Sequence, residues 1–223
     1  MSSRTTATWT ATALTVIFCA TACQSDGTKE AASPAPTAQS DCLGFLDKSG
    51  TRAAAGLLGT DSYQTSAAHD GAAGAAEEVA SEYRAKGVTE SKKVGLCWIY
   101  RSTKDLSDVT VTSSFASDVP DSGAVVSTFT PYDMGELALA SSRKAVIYLK
   151  CSSPRFEADS SRMTTTLRLE TSNRYEPDGS PTQARKNNLT IAYSAGLALA
   201  EALGCDNNAG LPSTFEMPSV QEQ

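Results

Sequence analysis

Six cysteines and one histidine carry most of the chemistry open to this 223-residue chain. The thiols are Cys19, Cys23, Cys42, Cys97, Cys151 and Cys205. Thiols can pair by oxidation or hold a metal. No C-x-x-C pair is present and His69 is the sole imidazole, so a zinc site has no ligand pattern to build on. A serine triad would need His69 between a carboxylate and a serine. Ser194 lies in AYSAG, which lacks the first glycine of a G-x-S-x-G elbow, and it falls inside a predicted helix. His69, beside Asp70 in a polar stretch, therefore reads as a surface loop residue. Carboxylates stand together at Glu77-Glu78, Asp118 with Asp121, and Asp133 with Glu136. A glycosidase needs only two in the right geometry, but no motif surrounds these, and solvated acids account for them. Asp105 and Asp108 lack the spacing and central glycine of a calcium loop. No catalytic residue, cofactor or metal is read from the sequence.

The basic residues are more suggestive. Lys92-Lys93, Arg143-Lys144 and Arg185-Lys186 form three adjacent pairs. Lys92, Lys93, Arg143 and Lys144 are the candidate anion-binding residues, since envelope polymers and lipid headgroups are anionic. The competing explanation is that charges at strand starts protect sheet edges. The chain as a whole carries 25 acidic and 19 basic residues, net −6, which argues against a nucleic-acid partner. At 40% apolar residues it has enough material for a sizeable core.

The N-terminal segment reads as an address. Arg4 is its only charge before Asp26, and residues 9–22 are mildly apolar. Fourteen residues are too few to cross a hydrocarbon core, which needs about 20. A basic start, a short apolar core and small residues before a break mark a secretory signal over residues 1–22. Ala20-Thr21-Ala22-Cys23 resembles the lipobox of bacterial lipoproteins, with Ala20 where leucine is preferred. The resemblance implies cleavage before Cys23 and a lipid, with palmitate-type acyl chains, on its sulfur. Several acyl chains together hold a protein on a bilayer. Residues 24–41 contain no large apolar side chain and are expected as a disordered tether, spanning about 60 Å when fully stretched.

A single domain is expected over residues 42–205. Leu43, Leu46, Leu57 and Leu58 give a broken helical face. A better helix covers 70–86, with Ala72, Ala76, Val79 and Tyr83 on one side, Asp70 as its cap and Gly87 as its stop. About five strands follow, at 94–101, 109–115, 124–130, 145–151 and 163–170. In the last, Met163, Leu167 and Leu169 are expected to face inward and Arg168 and Glu170 to face water. Ser180-Pro181-Thr182-Gln183 has the form of a capping box for a long, buried helix ending at Gly204. Residues 206–223 are expected as a flexible tail, with Phe215 touching the domain. The fold class is thus α+β: an antiparallel sheet packed against N-terminal helices and a long C-terminal helix.

Cys42, Cys97, Cys151 and Cys205 remain to the mature domain, spaced 55, 54 and 54 residues apart. An even number outside the cell is what a disulfide framework requires. Pairing Cys42 with Cys97 and Cys151 with Cys205 would pin a terminal helix to a strand in each case. Pairing Cys97 with Cys151 and Cys42 with Cys205 would join neighbouring strands and clip the two ends together. At an offset of 54, VTVTSSF at 109 also matches MTTTLRL at 163, which suggests two similar Cys-bearing hairpins.

Asp41-Cys42 and Cys97-Trp98 carry a resemblance to secreted lipoproteins of Gram-positive bacteria whose domain has no assigned activity. That family often has a proline before the first of these cysteines and a residue between the second and the Trp; this chain has neither. The resemblance implies helices against an antiparallel sheet and no catalytic residues. The expected function is a membrane-tethered extracellular module, held by its lipid at the cell membrane, that binds an envelope polymer or protein partner without catalysis. The alternatives are an envelope hydrolase using unidentified carboxylates and a small-ligand carrier.

Overall fold

The computed structural model describes residues 41–102, 106–122, 127–157 and 161–221. The signal segment, Cys23, the tether up to residue 40, Asp105 and the first part of the strand expected at 124–130 lie outside the described residues. Among the described residues the elements run α1 Lys48–Leu58, β1 Gln64–Ala67, α2 Ala72–Glu90, β2 Val94–Tyr100, β3 Val109–Ala116, β4 Thr130–Tyr132, β5 Leu137–Ala140, β6 Lys144–Ser153, β7 Met163–Asn173 and α3 Pro181–Leu203. The strands form one antiparallel sheet in the order β1-β2-β3-β7-β6-β5-β4.

The sheet therefore has seven strands where about five were expected. β1, with sequence QTSA, is a polar edge strand without apolar alternation. LALA in β5 is too short for its period to be read, and it is buried along its length. The strand expected at 124–130 begins in fact at Thr130, where pairing with Ala140 starts.

Helix packing covers one face. Ala145, Ile147, Leu149, Leu167 and Leu169 of the sheet join Leu189, Ile191, Tyr193 and Leu199 of α3 in the main core. α3 starts at Ser180 with proline in its first turn and stops at Gly204 (φ 68°). The capping box is not formed: Ser180 makes no side-chain cap, and Gln183 instead donates to Asn187 Oδ1 at 2.8 Å. α1 is capped by Asp47, whose carboxylate accepts from the Gly50 amide at 2.7 Å. α2 is capped by Gly71 rather than Asp70, because the backbone there sits at φ 83°, where glycine carries no steric cost. Gly87 (φ 66°) breaks α2 where the stop was expected, and a final turn continues to Glu90.

Two disulfides join Cys42 to Cys97 and Cys151 to Cys205, with Cα separations of 5.9 and 5.0 Å. The first fastens the segment before α1 to β2, and the second fastens the end of α3 to β6. The two hairpins at an offset of 54 are present as the four central strands. Cys97 stands opposite Val111 and Trp98 opposite Thr110 in β2–β3. Cys151 stands opposite Thr165 and Ser152 opposite Thr164 in β6–β7, the same register 54 residues on.

The segment after Cys205, expected as a flexible tail, is held to the domain at several points. Leu211 is buried, Tyr193 donates its hydroxyl to the Pro212 carbonyl at 2.7 Å, and the Tyr193 and Phe215 rings lie 5.3 Å apart. Val220 bridges to Tyr132, so the tail covers the exposed edge of β4.

Candidate anion-binding face

Residues directly opposite one another in a sheet share a face. The face away from the helices therefore reads in rows across the strands. One row is Ser66, Trp98, Thr110, Ser172 and Lys144. The next is Gly95, Thr112, Glu170 and Val146, and a third holds Ser114, Arg168 and Tyr148. At the β4–β6 end this face is closed by a small apolar cluster of Leu137, Leu139, Val146 and Tyr148 with Ala116, Val119 and Phe129. Toward β2 and β3 it turns polar, with Thr110, Thr112 and Ser114 in succession on one strand.

Glu170 sits at the centre. It was expected to face water; it does point away from the helices, but its side chain is only 8% exposed. Lys93 Nζ and Lys144 Nζ each lie 3.3 Å from Oε1, and the Arg168 guanidinium donates to Oε2. The cations themselves stay accessible, with side chains 57%, 37% and 24% exposed for Lys93, Lys144 and Arg168. Burial alone would raise the Glu170 carboxyl, but Arg168, then Lys144 and Lys93, outweigh it and hold it below the ordinary carboxylate range. The carboxylate is thus ionised at neutral pH. Three cations around one anion leave a local surplus of two positive charges on a chain of net −6. Met163, expected inward on the same strand, is exposed at its start.

Of the four basic residues singled out in the sequence, Lys93 and Lys144 converge here. Lys92 does not: its backbone amide lies 3.4 Å from Glu82 Oε2. Arg143 is spent on the backbone, donating to the carbonyls of Asn173 (3.3 Å) and Arg174 (2.6 Å). Arg185 lies on α3, where it donates to Thr182 Oγ1. Sequence reasoning missed Arg168 and Glu170 as site residues, and Trp98 as part of the same face. The signal available was the two-residue period of β7, which puts Arg168 and Glu170 on one side together.

Trp98 is half-buried and belongs to neither apolar cluster. Its indole lies along β2 over Gly95: a Cβ added at Gly95 would come within 2.5 Å of Cζ2 and Cη2. Only glycine lets the ring lie this close to the strand.

The other chemical candidates do not come together as a site. His69 is exposed, at a left-handed turn (φ 56°) before α2. Ser194 is buried in α3, where its hydroxyl accepts from the Asp47 amide (2.8 Å) and lies 3.1 Å from both the Phe45 carbonyl and Asp47 Oδ1. Glu77 pairs with Arg84 and Arg155 on the surface. Asp118 accepts from Ser117. A cleft of about 750 Å³ opens beside α1, lined by Asp41, Asp47, Arg52, Asp61 and Tyr63. Burial would raise the Asp47 carboxyl, but bonds from Gly50, Ser49 and Ser194 bring it below its ordinary value, the reverse of what a general acid needs. Among the described residues no group of three or more His, Cys, Asp or Glu could hold a metal ion, and no helix is long and apolar enough to cross a membrane.

No protein-family model matches the chain, and it has no significant match among curated proteins or solved structures.

Proposed function

We propose that this protein is a lipid-tethered, extracellular binding module of the cell envelope. In this reading Cys23 carries the membrane anchor and the outer sheet face engages an anionic envelope component. The observation that carries the reading is the accessible triad of Lys93, Lys144 and Arg168 around the buried Glu170 carboxylate. Beyond the one cation that balances Glu170, the second and third leave positive charge on an accessible face, to which an anion is complementary. The resemblance at Ala20-Thr21-Ala22-Cys23 supports the anchor, and two disulfides support an oxidising compartment.

Two arms test it. In the first, the full chain is expressed in a Gram-positive host as wild type and as Cys23→Ser, followed by fractionation and mass spectrometry of the mature N-terminus. Wild type is expected in the membrane fraction with an acylated Cys23, and Cys23→Ser in the medium or as an uncleaved precursor. An unmodified Cys23 would overturn the anchor. In the second, the mature protein is sedimented with purified envelope. Lys93→Glu combined with Lys144→Glu is expected to abolish a binding that also falls with salt; unchanged binding would overturn the anionic face.

A further inference from the structure

The charge cluster does not stand alone on its face, and what accompanies it narrows the ligand. We infer that the face takes an anionic polysaccharide, with a sugar ring stacked on Trp98 and acid groups of the chain on Lys93, Lys144 and Arg168. The inference rests on the anion-binding reading above and adds the chemistry of the partner.

Three observations carry it. The first is the Trp98–Gly95 arrangement. The indole is laid against bare glycine backbone on the outer face, outside both apolar clusters. An aromatic plate with a polar edge suits a sugar, whose C–H face is apolar and whose rim carries hydroxyls. The second is the row of Thr110, Thr112 and Ser114 on β3, between the ring-bearing strand and the acid-bearing one. Hydroxyl side chains both donate and accept, as sugar hydroxyls do. The third is spacing. Trp98 on β2 and Glu170 on β7 stand two strand intervals apart across the sheet, about 10 Å, and one row apart along it. Linked sugar residues span that interval, with one ring on Trp98 and acid groups reaching the cations gathered on Glu170. The surplus of two positive charges supplies the complementarity for a repeating acid.

The test is a set of titrations of the mature protein at low salt. The probes are polygalacturonate (rings and acids), monomeric galacturonate, dextran (rings without acids), polyphosphate (acids without rings) and anionic phospholipid vesicles. Polygalacturonate is expected to bind, with the monomer and dextran at least tenfold weaker. Trp98→Ala is expected to weaken polygalacturonate binding about tenfold while leaving any binding of polyphosphate unchanged. Gly95→Ala, which displaces the ring without deleting it, should act in the same direction and guards against a folding defect in Trp98→Ala. If polygalacturonate binding ignores both variants, or if polyphosphate or vesicles bind and polygalacturonate does not, the polysaccharide inference is wrong while the anionic face stands. If binding of every anionic probe also survives Lys93→Glu with Lys144→Glu, the anionic face falls with it.

Discussion

The Glu170 carboxylate and the Lys93 ammonium meet at 3.3 Å across 77 positions of sequence, and Lys144 reaches the same oxygen at the same distance. Arg168 takes the other oxygen. One buried carboxylate therefore gathers cations from β7 itself, from the start of β6 and from the residue before β2. It neutralises one charge and holds all three in place, so it serves the fold and the face in opposite senses. Glu170→Gln removes the anion that the cations were built around. Stability is expected to fall by about 1–3 kcal/mol, with the loss of charge-assisted bonds at a buried site. Affinity for an anionic probe is expected to rise, because the surplus grows from two charges to three. Urea unfolding and polygalacturonate titration of the same variant measure both; a fall in both would mean that Glu170 positions the cations more than it competes for them.

The pH dependence follows from the same group. Glu170 is lowered in the folded protein, so the unfolded chain binds its proton first as pH falls. Its contribution to stability is complete above the ordinary carboxylate range and is lost as pH falls through the lower folded value. Wild type and Glu170→Gln should therefore differ most at neutral pH and converge in acid. Asp47, lowered by its bonds to Gly50, Ser49 and Ser194, adds to wild-type acid sensitivity in the same direction but cancels in the comparison. Thermal unfolding of both proteins across the acid range checks the convergence.

How much of this was legible depends on the range of the signal. Cysteine spacing marked the hairpins at an offset of 54, and the observed pairs Cys97 with Val111 and Cys151 with Thr165 keep that offset. Gly204 stops α3 as read, and Gly87 breaks α2 at the expected place though a last turn continues to Glu90, since a glycine at positive φ is a local signal. β1 and β5 were missed, and β4 was placed too early, because three or four residues show no period; strand pairing rather than local pattern defines them. The site was half legible. Lys93 and Lys144 were visible as basic residues at strand starts, but their convergence depends on strand order β2-β3-β7-β6, which no local pattern contains. Glu170 looked like an outward acid and is one; it is nonetheless buried, between Thr112 and Val146 in its row and with three cations against its carboxylate.

Ser194 shows how a residue with catalytic chemistry can be fully engaged by the fold. It accepts from the Asp47 amide at 2.8 Å and sits 3.1 Å from the Phe45 carbonyl, joining α3 to the start of α1 across 147 positions. Gly50 packs against it, with 3.0 Å between a built Cβ and its side chain. Ser194→Ala removes the acceptor of the part-buried Asp47 amide bond and is expected to cost about 1 kcal/mol. Because it lies on the helix side of the sheet, polygalacturonate binding should not change. Chemical denaturation and titration of this variant test the assignment; loss of binding without loss of stability would return Ser194 to the functional residues.

The two disulfides close loops of 55 and 54 residues, so chain entropy assigns them nearly equal stabilisation, about 4 kcal/mol each. Their effect on the face should be unequal. Cys151 lies in β6, which is flanked by β7 and β5 and buried through most of its length. Cys97 lies in β2, whose outer neighbour is only the four-residue β1, and it immediately precedes Trp98. Removing Cys42–Cys97 by double Ala substitution frees the strand that carries the indole. Removing Cys151–Cys205 frees the end of α3 on the opposite side of the sheet. Both double variants should lose comparable stability in urea. Only the first should also weaken polygalacturonate binding under conditions where it remains folded, because only there does the lost crosslink hold the strand on which the stacking ring is mounted.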